Sequence, residues 1–234
     1  MHHFRAPDAR RFISASLTIG IAFVIFGASF GVLSVSAGAS VAQSCAMSLL
    51  VFTGASQMSA VSVIASGGSV ASAFGGAVLL SGRNAVYGLA MSPVLKEGSL
   101  ASRLLGAQWV IDETTAVVSA ETDPATRRTA FWISGAILYA SWNIGTLLGA
   151  LVGSSINPSD FGLDAAFPVM FTAMIAPHLR TSAGRKAALF GAVAAVALAP
   201  FMPIGLPILV SALGMLFGLS PTSDESTAMT DGAP

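Results

Sequence analysis

Charge is what this sequence most lacks. Charged residues make up 9% of it, against about 25% in soluble domains. Between Phe12 and Gly82 there is no Asp, Glu, Lys or Arg at all. One helical crossing of a hydrocarbon layer ~30 Å thick takes about 20 apolar residues, so this stretch has room for about three crossings. A soluble fold is excluded, because its outer face would carry nothing to solvate it. The eleven basic and eleven acidic residues cancel, which leaves no basic footprint for a nucleic acid. A single cysteine, Cys45, excludes a disulfide framework and a thiolate metal cluster, and it reads as a small packing residue. Strict apolar/polar alternation is missing, which argues against a membrane β-barrel. Nor is there a phosphate-binding GxxxxGK[ST] loop, an HExxH pair or a nucleophile elbow. The chain is therefore not read as an enzyme, and no cofactor or metal is expected.

What the sequence does have is apolar residues, 54% of the total with a mean hydropathy of +0.77. They fall into long blocks divided at charges, prolines and Gly/Ser clusters. The expected fold is all-α, a polytopic transmembrane bundle of about seven helices, within a range of about six to eight. The segments run near Ser14–Ala37, Ala42–Ser66, Val70–Met91 (stopped by Pro93), Leu100–Ala120, Arg128–Val152, Asp164–Ala176 and Ala187–Leu219. The last is broken by Pro200 and Pro203, and reads equally as one kinked helix or a hairpin of two. The basic start, with Arg5, Arg10 and Arg11, resembles part of a signal peptide. Its apolar stretch is too long for one, so it reads as a retained first helix. Residues 1–219 form one transporter domain, with residues 1–13 as a basic cytoplasmic arm, and the polar tail 220–234 is expected to be disordered.

Lys and Arg placement sets the expected orientation. With every segment crossing and the N-terminus cytoplasmic, Arg5, Arg10, Arg11, Arg127, Arg128, Arg180, Arg185 and Lys186 lie inside. Lys96 and Arg103 then lie outside. A faint repeat pairs Gly31 and the following Phe52-Thr53 with Gly149 and the following Phe171-Thr172. It suggests a 3+1+3 arrangement, although chance in apolar sequence explains it about as well.

Polar residues inside apolar segments are the candidates for function. The second segment contains Phe52-Thr53-Gly54-Ala55-Ser56-Gln57-Met58, where Gly between Thr and Ser weakens a helix and frees backbone groups. Broken helices of this kind bind the charged ends of small zwitterions. The alternative is close helix packing by small residues. Phe52, Thr53, Gly54, Ser56, Gln57 and, on the fifth segment, Asn143 are the candidate substrate-binding set. Arg83-Asn84 sits in the third segment, too far from either end for easy snorkelling, and Asp112-Glu113 sits in the fourth. Arg83 is expected to pair with one acid while the other faces water or carries coupling protons. The bland reading puts the fourth segment on the membrane surface with both acids solvated. Gly145, Gly149 and Gly153, four apart, form a small-residue seam for helix packing.

Taken in order, FGASFG at 26–31, FTGASQ at 52–57, GRNAVYGLAMSP at 82–93, IDE at 111–113 and GLDAAFPVMF at 162–171 resemble the AzlC family. Ser81-Gly82 stands where that family's pattern has Leu-Asn. The resemblance implies a proton-linked exporter of branched-chain and similar apolar amino acids in the cytoplasmic (inner) membrane. It also implies a small, separately encoded AzlD-like membrane partner. The competing readings are a scaffold subunit with no transport of its own, and an exporter of another small organic molecule.

Overall fold

A computed structural model describes residues 6–155, 172, 175–176, 178–202, 206–211, 213–214 and 216. Most of the expected sixth helix and of the loop before it, GLDAAFPVMF and the tail from residue 220 lie outside the described residues, as does Phe171 of the repeat. The described residues form helices and no strand: α1 Ala6–Ser36, α2 Val41–Val51, α3 Ala55–Ala65, α4 Val70–Leu95, α5 Leu100–Gln108, α6 Asp112–Ser119, α7 Pro124–Gly153, α8 Ser182–Leu198 and α9 Leu206–Ser211. Helix starts follow their caps. Ser40, Ser69, Ser99, Asp123 and Thr181 each accept a backbone N–H from the first turn, which satisfies groups the helix leaves free.

Among the described residues, two helices are long and apolar enough to cross a bilayer: Ala9–Ser36 within α1, at a mean hydropathy of 2.1, and α7, at 1.4. Among the described helices they pack together most extensively, and they run parallel. A Cβ added to Gly145 or Gly149 would land on the carbonyl oxygen of Val24 or Ala28, and one added to Gly153 would lie 2.8 Å from Val32 Cα. From the other side, a Cβ on Gly27 or Gly31 would meet the Trp142 or Thr146 carbonyl. The expected seam is thus the contact on which the bundle is built, with backbones touching where side chains are absent. On its outer face α1 presents Leu17, Ile21 and Ile25, all more than half exposed, as a lipid-facing stripe.

The second and fourth segments do not cross, which corrects the expectation. α2 and α3 hold 11 residues each, about 16 Å at 1.5 Å per residue, half a hydrocarbon layer. Gln57 Nε2 donates to the Met47 carbonyl at 3.1 Å, and Met47 packs against Ala60, Val63 and Ala73. In a continuous helix Met47 and Gln57 would stand about 15 Å apart, so the chain reverses at Phe52-Thr53-Gly54. α3 then returns antiparallel to α4, with Ser81 Oγ donating to Ser56 Oγ at 2.8 Å and Ala73 packed against Ala60 and Val63. α5 and α6 repeat the device from the opposite end. Leu95 packs on Gly106, Trp109-Val110-Ile111 forms the tip, and Val118 returns to Phe12, Met91 and Phe131.

α4 therefore runs antiparallel to α1, and its C-terminus lies beside the start of α7, where Glu97 pairs with Arg128 at 3.4 Å. It runs through Pro93 to Leu95, past the expected stop. Lys96 and Arg103, expected opposite the other basic residues, belong to the end that holds Arg11, Arg127 and Arg128. The error came from treating each half-deep hairpin as a crossing, which flips α4. Each unit is one full helix followed by a hairpin re-entering from the side where that helix ends. The two units, residues 6–65 and 70–119, are oppositely oriented, an inverted relation unlike the parallel 3+1+3 order expected. In the last apolar block, Gly191 faces Ser211 and Gly214 faces Ala187. α8 and α9 are thus a hairpin, one of the two forms anticipated.

The first tip is conformationally demanding. Phe52 has φ 20° and Gly54 φ 57°, and glycine alone takes such a backbone without a steric penalty. Gly82 is helical with nothing within 4 Å of an added Cβ. Gly54→Ala is expected to lower the melting temperature of the detergent-solubilised protein, while Gly82→Ala leaves it equal or raises it slightly, as Ala exceeds Gly by about 0.5–1 kcal/mol within a helix. Equal melting temperatures for the two variants would show that the tip is not held as described.

Candidate substrate cavity

The two tips meet at mid-depth around a cavity of about 210 Å³. This lies below the roughly 300–1,000 Å³ of pockets for drug-sized ligands, and it suits a smaller molecule. The first tip contributes Phe52, Thr53, Gly54 and Ala55; α4 contributes Arg83 and Asn84; the second tip contributes Ile111, Asp112 and Glu113; α7 contributes Trp142. α1 supplies the remaining wall. Arg83 stands at the centre of the 26-residue α4, the deepest position that helix offers.

Arg83 Nη1 lies 2.6 Å from Asp112 Oδ2, the expected pair, with both side chains about one-third exposed toward the cavity. Asp112 opens α6, where the partial positive charge of a helix N-terminus also favours a carboxylate. Glu113 lines the same cavity and forms no ion pair among the described residues. If all three ionise, the cavity carries one negative charge more than positive. The N-termini of α3 and α6 both open onto this space. Three lining side chains, Thr53, Arg83 and Asp112, and the 4%-exposed Trp142 keep a buried polar atom without a protein partner: Oγ1, Nε, Oδ1 and Nε1 respectively. Buried polar groups are nearly always satisfied, so the polar side of the cavity holds hydrogen-bonding capacity that the described residues leave unused, as do Ser16, Trp109, Thr115 and Arg127 elsewhere.

Three residues of the expected binding set stand behind this lining. Gln57 is fully buried and braces the first tip. Its Oε1 accepts from the Gly54 N–H at 3.2 Å and the Thr53 N–H at 3.4 Å. Ser56 is tied to Ser81, so the departure from the Leu-Asn pattern supplies a hairpin contact. Asn143 faces α2, accepting from Ser48 Oγ at 2.8 Å and donating to the Tyr139 carbonyl at 2.8 Å. Thr114 braces the second tip as Gln57 braces the first, accepting from the Ile111 N–H at 3.1 Å and donating to the Trp109 carbonyl at 2.8 Å. Gln108 Nε2 joins the hairpins through the Leu49 carbonyl at 3.1 Å. Sequence reasoning missed Thr114 and the α1 wall. Thr114 follows the Asp-Glu pair at a capping position, a signal that was there to be found.

An α-helical bundle with lipid-facing apolar helices and a polar cavity between two re-entrant tips defines a polytopic membrane protein of transporter type. The family described as AzlC protein matches residues 18–156, more than half the chain, and the chain belongs to that family. Inner membrane protein YgaZ of Escherichia coli (strain K12) is 29% identical over 206 residues, covering 82% of this chain and 84% of that protein. An uncharacterized membrane protein of Helicobacter pylori (strain ATCC 700392 / 26695) is 25% identical over 210 residues, covering 86% and 91%. No solved structure matches.

Proposed function

We propose that this chain is a secondary exporter of branched-chain or related neutral amino acids across the cytoplasmic membrane, driven by protons and working with a small AzlD-like subunit. The observation that carries the reading is the mid-depth cavity, where two helix N-termini, an Arg–Asp pair and an unpaired glutamate surround unsatisfied polar atoms. A zwitterion matches it. Its carboxylate suits the helix N-termini and Arg83, and its ammonium suits the surplus negative charge. Glu113 is the natural proton carrier, because Asp112 is held by Arg83 while one proton on Glu113 removes the surplus. The basic end, with Arg11, Lys96, Arg103, Arg127 and Arg128, faces the cytoplasm in this reading.

The test is flux of valine and leucine in proteoliposomes holding the chain with and without its partner. Flux driven by an imposed pH gradient is expected, and its absence in both preparations would exclude amino acid export. Flux from the chain alone would end the scaffold reading. Glu113→Gln is expected to keep valine counterflow while losing gradient-driven accumulation, because the amide has no proton to release and rebind. Accumulation unchanged in Glu113→Gln would remove the glutamate from the coupling step.

A further inference from the structure

The cavity has two chemically unlike walls. From α1 come Ile19, Ala22, Phe23 and Phe26, and their i, i+3, i+4, i+7 spacing puts them on one stripe of that helix. No polar side chain interrupts the stripe. Facing it are the polar groups of the tips and of α4. A ligand that satisfies both walls has a charged head toward the tips and a compact apolar tail toward α1. Within the stripe, Ala22 alone is small. Ile19 lies one turn before it, Phe26 one turn after, and Phe23 beside it is held edge-on against Trp142 with ring centres 5.9 Å apart. The stripe thus has a recess at Ala22, bordered by Phe23 and Ile19, both of which pack in the core, and by the more exposed Phe26.

We infer that this recess is the side-chain subsite for a short branched aliphatic group, and that Ala22 sets the largest side chain the protein accepts. The inference rests on the amino acid reading above and goes beyond it. It puts the substrate's side chain against α1 and not against the nearby Met58. Met58 is 1% exposed and packs in the core with Phe23, Phe30 and Val61. Trp142 lines the same cavity and packs on Phe23 and Phe30, so it fixes the α7 side of the recess.

The test compares counterflow of alanine, valine, leucine and phenylalanine in proteoliposomes holding wild type, Ala22→Leu or Ala22→Gly. Ile21→Ala, at an outward-facing position 66% exposed, serves as the control. A methylene too many or too few in an apolar pocket changes selectivity on the order of 10- to 200-fold. Ala22→Leu is expected to lower the leucine-to-alanine ratio by about tenfold or more, with alanine flux retained. Ala22→Gly is expected to raise phenylalanine flux relative to valine, and Ile21→Ala leaves every ratio unchanged. Should Ala22→Leu yield no folded protein, the Ala22→Gly ratios decide alone. Unchanged ratios in a folded Ala22 variant would overturn the subsite while leaving amino acid export standing. Absence of all counterflow in wild type would remove export itself and the subsite with it.

Discussion

Asp112→Asn is expected to lower valine export several-fold or more, and folded yield with it, because it removes the ion-pair partner of Arg83 at the centre of α4 and leaves only Glu113 to offset that charge. Removing one partner of a buried ion pair costs about 3–5 kcal/mol. Both side chains are about one-third exposed, so the cost to folding falls below that range, and most of the loss is expected in transport. Arg83→Ala strands Asp112 instead, and a milder loss is expected because the α6 N-terminus still stabilises the carboxylate. For the same reason, exchanging the pair as Arg83→Asp with Asp112→Arg should not restore export. The exchange would put a cation at a helix N-terminus. Asp112→Glu, which keeps the charge, should retain measurable export. Membrane-fraction abundance and vesicle flux measured together separate folding from transport. Full export by Asp112→Asn would show that the pair is incidental.

The second large effect concerns the α1–α7 seam. An added Cβ at Gly149 falls on the Ala28 carbonyl oxygen, and backbone cannot turn aside as a side chain does. Gly149→Val must therefore part the two longest helices, with a cost expected to exceed the roughly 1–3 kcal/mol of ordinary overpacking. Little monodisperse protein should be recovered by size-exclusion chromatography in detergent. Gly88→Ala meets nothing within 4 Å and should behave as wild type. Normal recovery of Gly149→Val would mean that α1 and α7 do not touch along this register.

Both expectations draw on features that were legible in the sequence, though to different degrees. The Gly145-Gly149-Gly153 spacing announces a close-packing seam, because the need for small residues at backbone contact is local. The partner helix is not announced, since Gly27-Gly31 on α1 is one small-residue pair among several. Arg83 and Asp112 stand out because charge is rare here, and their pairing follows from the cost of isolating either in a low dielectric. Gln57 and Asn143 also stood out as polar residues in apolar segments. Their hydrogen bonds serve the hairpin and the α2–α7 contact instead, because a buried amide is satisfied as well by backbone as by a ligand.

The sequence by itself determined that this is a helical membrane protein, that its second segment breaks at Phe52-Thr53-Gly54, and which charges lie inside it. These follow from composition and from neighbours a few residues apart. Only the tertiary structure decided that the two broken segments turn back at mid-depth, that α4 runs antiparallel to α1, and that Lys96 and Arg103 join the basic end. Three residues such as Phe52-Thr53-Gly54 unwind a helix equally well whether the chain continues or reverses. The direction taken is fixed by remote contacts: Gln57 with Met47, Ser81 with Ser56, and Arg128 with Glu97. The α1 wall of the cavity has the same origin, since an apolar stripe on an apolar helix looks alike facing lipid or ligand until another helix packs opposite it.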